Sequence, residues 1–236
     1  MKRKAQVDVP ARFRHTPLLD LLADAAYHHQ LAKQHPQGYE ASRSARASVV
    51  ASCLSIECLA NCLLSTIDVN GPLASEVDKM SALGKIDIFL LLRGLEAIDR
   101  GGSAAQQAAE LIKARNDYVH PKISTFPADL KPFEESETHF VLPFTVNAEF
   151  WPALKIPKQS LVWDSTASGR ALRAVASFFS SILIDRLGAS KDDLAKLIMP
   201  RVEFAHFAMP AVYEEYVVEL GKLATDQIDF SFLQLQ

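Results

Sequence analysis

Cysteine is scarce in this chain of 236 residues, and its three cysteines, Cys53, Cys58 and Cys62, fall in one short stretch. Spacings of five and four along a single helical segment cannot staple distant parts of a fold, so a disulfide framework is excluded and reduced thiols in the cytoplasm are expected. A metal site built on them would need ligands converging from elsewhere, and small buried helix residues are the simpler reading. Glycine is also sparse: none of the nine lies in a phosphate-cradling loop or flanks a serine at a sharp elbow, which removes the nucleotide-kinase and serine-hydrolase readings. Positive charge is in short supply, with 25 Lys and Arg against 28 Asp and Glu. A protein that coats nucleic acid through a broad basic field is therefore excluded, and any such contact must be local. Long apolar runs are missing too. Val49 to Leu64 and Ile86 to Leu92 are interrupted by polar residues and fall short of the ~20 that a bilayer requires, so no membrane span or membrane partner is expected. The opening Met1-Lys2-Arg3-Lys4 runs on through Gln6, Asp8 and Pro10 instead of an apolar segment, which is not a secretory signal and reads as a frayed tail.

What is present is enough apolar residue (49%) to bury a core. Its spacing predicts a mainly all-α protein, an antiparallel four- to five-helix bundle in one domain spanning 1–236. A first helix is expected from Thr16 as N-cap and Pro17 to about Leu31, ended by Pro36 and Gly38. A long second helix follows over Ala41 to Thr66, broken at Asn70-Gly71-Pro72. A third spans Ser81 to Arg100 and is closed by Gly101-Gly102. A fourth runs from Ser103 to His120, which Pro121 places at the helix edge. The core is thus about 16–120 plus a helix over Ser165 to Leu187. Between them, 121–164 carries six prolines and reads as a long insertion with short strands at Phe140-Val141-Leu142 and Leu161-Val162-Trp163. The remainder, 188–236, is a helical extension with helices near Asp192 to Met199 and Pro210 to Leu223.

Two charges sit where apolar side chains belong. At 100° per residue, Glu57 and Asn61 project from the arc of Val49, Cys53, Ile56, Ala60 and Leu64, and Arg115 falls at the centre of the face formed by Ala108, Leu111, Ile112, Tyr118 and Val119. Buried unpaired charge costs several kcal/mol, so Glu57 and Arg115 are expected to meet across two helices, as a structural ion pair or as part of a site. His120 lies about 140° around the axis from Arg115 and is nearly aligned with Asn116. His28, His29 and His35 lie near one helix end but lack ligand spacing for a metal, and read as solvated helix residues.

The long helix with Glu57, followed by a helix ending Arg115-Asn116-Asp117-Tyr118-Val119-His120 before Pro121, resembles the HEPN superfamily, whose ribonucleases carry Arg, a polar residue, three variable residues and His near a helix end. Arg201 and His206 share the spacing, but Pro200 and Val202 flank that arginine and no comparable helix leads in. The resemblance covers roughly Ala41 to His120 and implies a helical bundle, often a homodimer whose two motifs share a cleft. It also implies metal-independent, cofactor-free cleavage of RNA to 2′,3′-cyclic phosphate ends. His120 would be general acid or base, Arg115 would hold the phosphate, and Asn116 would position substrate or orient His120. Glu57 would orient Arg115 from behind, and Asp117 would be a supporting residue. A second His120 from a partner subunit, or water, would complete the proton transfers. A toxin–antitoxin or defence setting with a regulatory protein partner fits that family. The competing expectation is a non-catalytic dimerising scaffold in which Arg115 and Glu57 only stabilise the core and His120 merely ends a helix.

Overall fold

The computed structural model describes residues 10–35, 38–67, 71–130 and 144–235. Helix dominates these residues and strand is minor. Helix α1 (Leu18–Gln34) begins one residue later than expected. Its N-cap is Pro17, whose carbonyl accepts from the Leu21 N–H at 3.0 Å, and Thr16 is buried without capping the helix. Helix α2 (Tyr39–Leu64) follows Gly38, whose φ of 103° lets the chain turn sharply into it.

The next region departs from expectation. Gly71-Pro72 does more than break the chain: Pro72 occupies the first turn of a short helix, α3 (Pro72–Asp78). Helix α4 (Ala82–Leu92) starts under the Ser81 side chain, which accepts from the Gly84 N–H, and stops well before Arg100. Its stop signal is Gly94, with φ 72°. The Leu95 N–H reaches the Leu90 carbonyl at 2.9 Å and the Gly94 N–H the Leu91 carbonyl at 3.0 Å. That pair of bonds around a left-handed glycine terminates a helix efficiently. Gly102 is instead the N-cap of α5 (Ser103–Val119), which ends at His120 as Pro121 demands.

Within 121–164, β2 (Ala128–Leu130) and β3 (Phe144–Val146) pair antiparallel, while Phe140-Val141-Leu142 lies outside the described residues. Leu161-Val162-Trp163 is not a strand. Ser160–Val162 is a 3-10 turn and Trp163 is buried, its indole N–H donating to the Pro157 carbonyl at 2.6 Å. Helix α6 (Ser165–Ser180) is capped by the Asp164 carboxylate and continues as a π-helical turn over Ser181–Arg186. Helix α7 (Lys191–Ile198) carries a reciprocal Ser190/Asp193 capping box. A three-stranded antiparallel sheet, invisible to periodicity, joins β1 (Arg12–Arg14), β4 (Arg201–Glu203) and β5 (Ala208–Pro210). Helix α8 (Glu214–Lys222) packs on α1.

Helix α2 is the hub, touching α1, α4, α5, α6 and α7. Leu18, Leu22, Ile56, Leu59, Leu63, Leu111, Phe178 and Phe179 are buried there. Ala25, Ala45 and Ser48 keep the α1–α2 contact close, and the Ser48 hydroxyl discharges its hydrogen bond onto the Ala25 carbonyl at 2.7 Å. The polar interruptions read as excluding a span do not shorten this helix: α2 has 26 residues and is long and apolar enough to cross a membrane by length and composition. Its packing against α1, α4, α5, α6 and α7 is that of a core helix.

Candidate functional site

The expected meeting of charges occurs. An Nη2 of Arg115 donates to Glu57 Oε2 at 2.8 Å, tying α5 to α2. The Arg115 side chain is one-fifth exposed and that of Glu57 nearly half exposed (20% and 46%), so the pair lies at the rim of the core. Arg115 Nε is buried and accepted by no partner among the described residues, which leaves the guanidinium only partly saturated. The Cys53 thiol lies beside it. Burial pushes that thiol up to about 11, and the neighbouring guanidinium only partly offsets the rise. Cys53 therefore stays protonated at neutral pH. Cys58 and Cys62 interact one turn apart along α2, and all three cysteines are free thiols.

His120 takes a different position. It is exposed at the C-terminal end of α5, its N–H bonded to the Asn116 carbonyl at 3.0 Å. It lines an open cleft of about 790 Å³ with Asp117, Tyr118, Lys122, Ser124, Thr125, Phe126 and, from farther along the chain, Lys158, Gln159 and Leu161. Asn116 is exposed but is not on this wall, and neither is Arg115. The fold thus brings Glu57 to Arg115, and Asp117 to His120, while the two halves of the motif face different surroundings within one chain. Regular helix geometry accounts for this, since five residues turn the axis by about 140° and His120 is the last residue before Pro121 breaks the helix.

The cleft's second wall was not readable from the sequence, because Lys158 to Leu161 lie some forty residues from His120. Two further polar arrangements hold the walls in place. Glu110, one turn before Arg115, accepts from the Ala153 and Leu154 N–H groups at 2.8 and 2.7 Å, fastening the end of the insertion to α5. Lys158 pairs with Glu149 at 2.7 Å and sits 5.9 Å above the Trp151 ring.

His29 is not a solvated helix residue, as its sequence position suggested. It is buried, its Nδ1 hydrogen-bonds Ser168 Oγ at 2.7 Å, and its Nε2 lies 3.5 Å from Asp226. Ser168 is fully buried in α6, so this serine, histidine and aspartate set offers no accessible nucleophile and serves to join α1, α6 and the C-terminal segment. Burial lowers the His29 pKa below its ordinary 6.5, with Asp226 opposing. His35 pairs with exposed Glu40 at 3.3 Å. No protein-family model, curated protein or solved structure matches the chain.

Proposed function

We propose that this chain is a HEPN-type helical bundle and a metal-independent ribonuclease, with His120 as its proton-transfer residue. The observation that carries the reading is the placement of His120: exposed at the end of α5, one helical turn past an arginine held by Glu57, on the wall of a cleft that also presents Lys122 and Lys158. In the reaction a base takes the proton from a ribose 2′-hydroxyl and the 2′-oxygen attacks the adjacent phosphorus. The bond to the 5′-oxygen breaks, and an acid protonates that leaving oxygen. The products are a 2′,3′-cyclic phosphate and a free 5′-hydroxyl. Histidine suits either role, because imidazole exchanges protons near neutrality.

Arg115 is the residue that fits least well within one chain, since it lies off the His120 cleft. The reading therefore places the complete site between two copies. There the exposed part of one Arg115 guanidinium and the His120 of its partner converge on one phosphate, with Asn116 and Asp117 at the rim. Free Cys53, Cys58 and Cys62 suit a cytoplasmic enzyme, and a regulatory protein that covers the cleft belongs to the same proposal.

One observation favours the second reading, a non-catalytic dimerising scaffold: Arg115 is engaged by Glu57 and does not line the cleft. Incubating the protein and its His120→Ala variant with mixed RNA in EDTA separates the two. Cyclic-phosphate ends from the parent alone establish the ribonuclease. No cleavage by a folded dimer across salt and pH leaves the scaffold.

A further inference from the structure

The cleft beside His120 has features that proton transfer does not require. Tyr118, a residue more than one-third exposed, forms part of its wall, with its ring 6.0 Å from the Trp163 ring and tilted 42° to it. Trp163 is buried and pinned by its bond to the Pro157 carbonyl, so it braces Tyr118 in place. A braced, half-open aromatic face is a stacking platform.

From the insertion, Gln159 lines the same cleft, and its Oε1 is buried without a hydrogen bond among the described residues. A buried acceptor left empty is costly, and the economical remedy is an N–H donor from whatever fills the cleft. Lys122 and Lys158 line it against one carboxylate, Asp117. Lys158 is engaged by Glu149, but both side chains are well exposed, and such surface pairs yield readily to a competing anion. The cavity, about 790 Å³, lies within the ~300–1,000 Å³ typical of sites that enclose small organic groups.

Stacking face, orphan acceptor and paired cations are the complement of one nucleotide. We propose that this cleft is a single-stranded RNA subsite: a base stacks on Tyr118, an N–H of its Watson–Crick edge donates to Gln159 Oε1, and Lys122 and Lys158 hold the flanking phosphates. The assignment rests on the ribonuclease reading for its choice of RNA, and it gives the insertion a role as the substrate-holding wall. All four bases carry a Watson–Crick N–H donor, so the site selects unpaired strands and not a particular sequence. A duplex has spent those donors on pairing.

The test is equilibrium binding of a labelled eight-nucleotide mixed-sequence RNA to the full chain at 150 mM salt, beside an abasic strand and a duplex of equal length. Tyr118→Leu, which keeps an apolar side chain against Trp163 but removes the ring, weakens binding roughly ten-fold, whereas Tyr118→Phe stays within about two-fold. Gln159→Leu costs about five-fold, and Lys122→Gln reduces the slope of log affinity against log salt by about 0.7. The abasic strand and the duplex bind at least about ten-fold more weakly. Equal affinity for the abasic strand, an unchanged Tyr118→Leu, or no binding by the parent overturns the subsite. Binding with this pattern but without His120-dependent cleavage keeps the subsite and refutes the ribonuclease. His120-dependent cleavage that Tyr118→Leu and Gln159→Leu leave untouched does the reverse.

Discussion

Replacing Arg115 by alanine separates a site residue from a structural strut, and the structure sets the size of the effect. The arginine stem is largely covered, so removing its two methylenes beyond Cβ at ~0.8 kcal/mol each costs about 1.6 kcal/mol. The ion pair adds less than about 1 kcal/mol, because nearly half of the Glu57 side chain is in water and a released carboxylate there rehydrates. The total, about 2 kcal/mol, is well below the ~5–15 kcal/mol stability of an ordinary domain, so Arg115→Ala folds at 25 °C. Glu57→Gln keeps an acceptor for the guanidinium and costs about 0.5–1 kcal/mol. Urea unfolding followed by far-ultraviolet circular dichroism on both single variants and the double gives the coupling between them. A coupling below about 1 kcal/mol, with RNA cleavage abolished in folded Arg115→Ala, fits a functional arginine. A coupling above about 3 kcal/mol, or an unfolded Arg115→Ala, is the behaviour of a desolvated core pair and refutes this estimate of how Arg115 is spent.

Acid should weaken the fold in two stages. His29 is held neutral in the native state, so between its lowered pKa and 6.5 the unfolded chain binds the extra proton and stability falls as pH drops; His29→Gln flattens that slope in melts from pH 7 to 5. Below about pH 4 Asp226 adds to the loss, since hydrogen bonds from Lys33 and Gln30 outweigh its partial burial and hold its carboxyl below the usual range. Ser168→Ala strands His29 Nδ1 in the core and costs about 1–3 kcal/mol by urea titration; an unchanged midpoint would show the bond to be idle. Glu110→Ala removes the acceptor for two backbone N–H groups, costs about 2–3 kcal/mol, and opens residues 150–158 to limited proteolysis, with Glu110→Gln intermediate. Cys53 reacts with iodoacetamide at pH 8 only after denaturation, and rapid labelling in the native protein contradicts its burial.

Helix content was legible because apolar residues recur at helical spacing over α1, α2, α5 and α6, and the same projection brought Glu57 to Arg115. What escaped shares a physical cause: too few residues to establish a period. Strands of three residues, paired between Arg12–Arg14 and Arg201–Glu203, leave no alternation to detect. Helix α3 is only seven residues long, and its Pro72 reads equally well as a breaker. For α4 the Gly101-Gly102 pair read as the stop, whereas the single Gly94 in left-handed geometry ends the helix earlier. The cleft is the clearest case. His120 was visible as a motif residue, but Lys158 and Gln159 had no pattern of their own and acquired meaning when the insertion folded back onto α5. His29 was misjudged because its partners, Ser168 and Asp226, come from the far end of the chain.

The strand partners of Arg12–Arg14 bear on the order in which the molecule is made. β1 leaves the ribosome long before β4 and has no strand to join until Arg201–Glu203 has followed it out. The contact between α1 and α2, by contrast, is available as soon as that pair of helices is exposed. Local helical packing therefore precedes closure of the sheet, and because α6 packs on α1 and α2 the bundle has by then met most of the loop entropy of bringing the two strands together. A truncated chain that stops before residue 201 leaves β1 as an unsatisfied edge, and synthesis stalled in α7 should present the nascent protein to chaperones with that edge exposed.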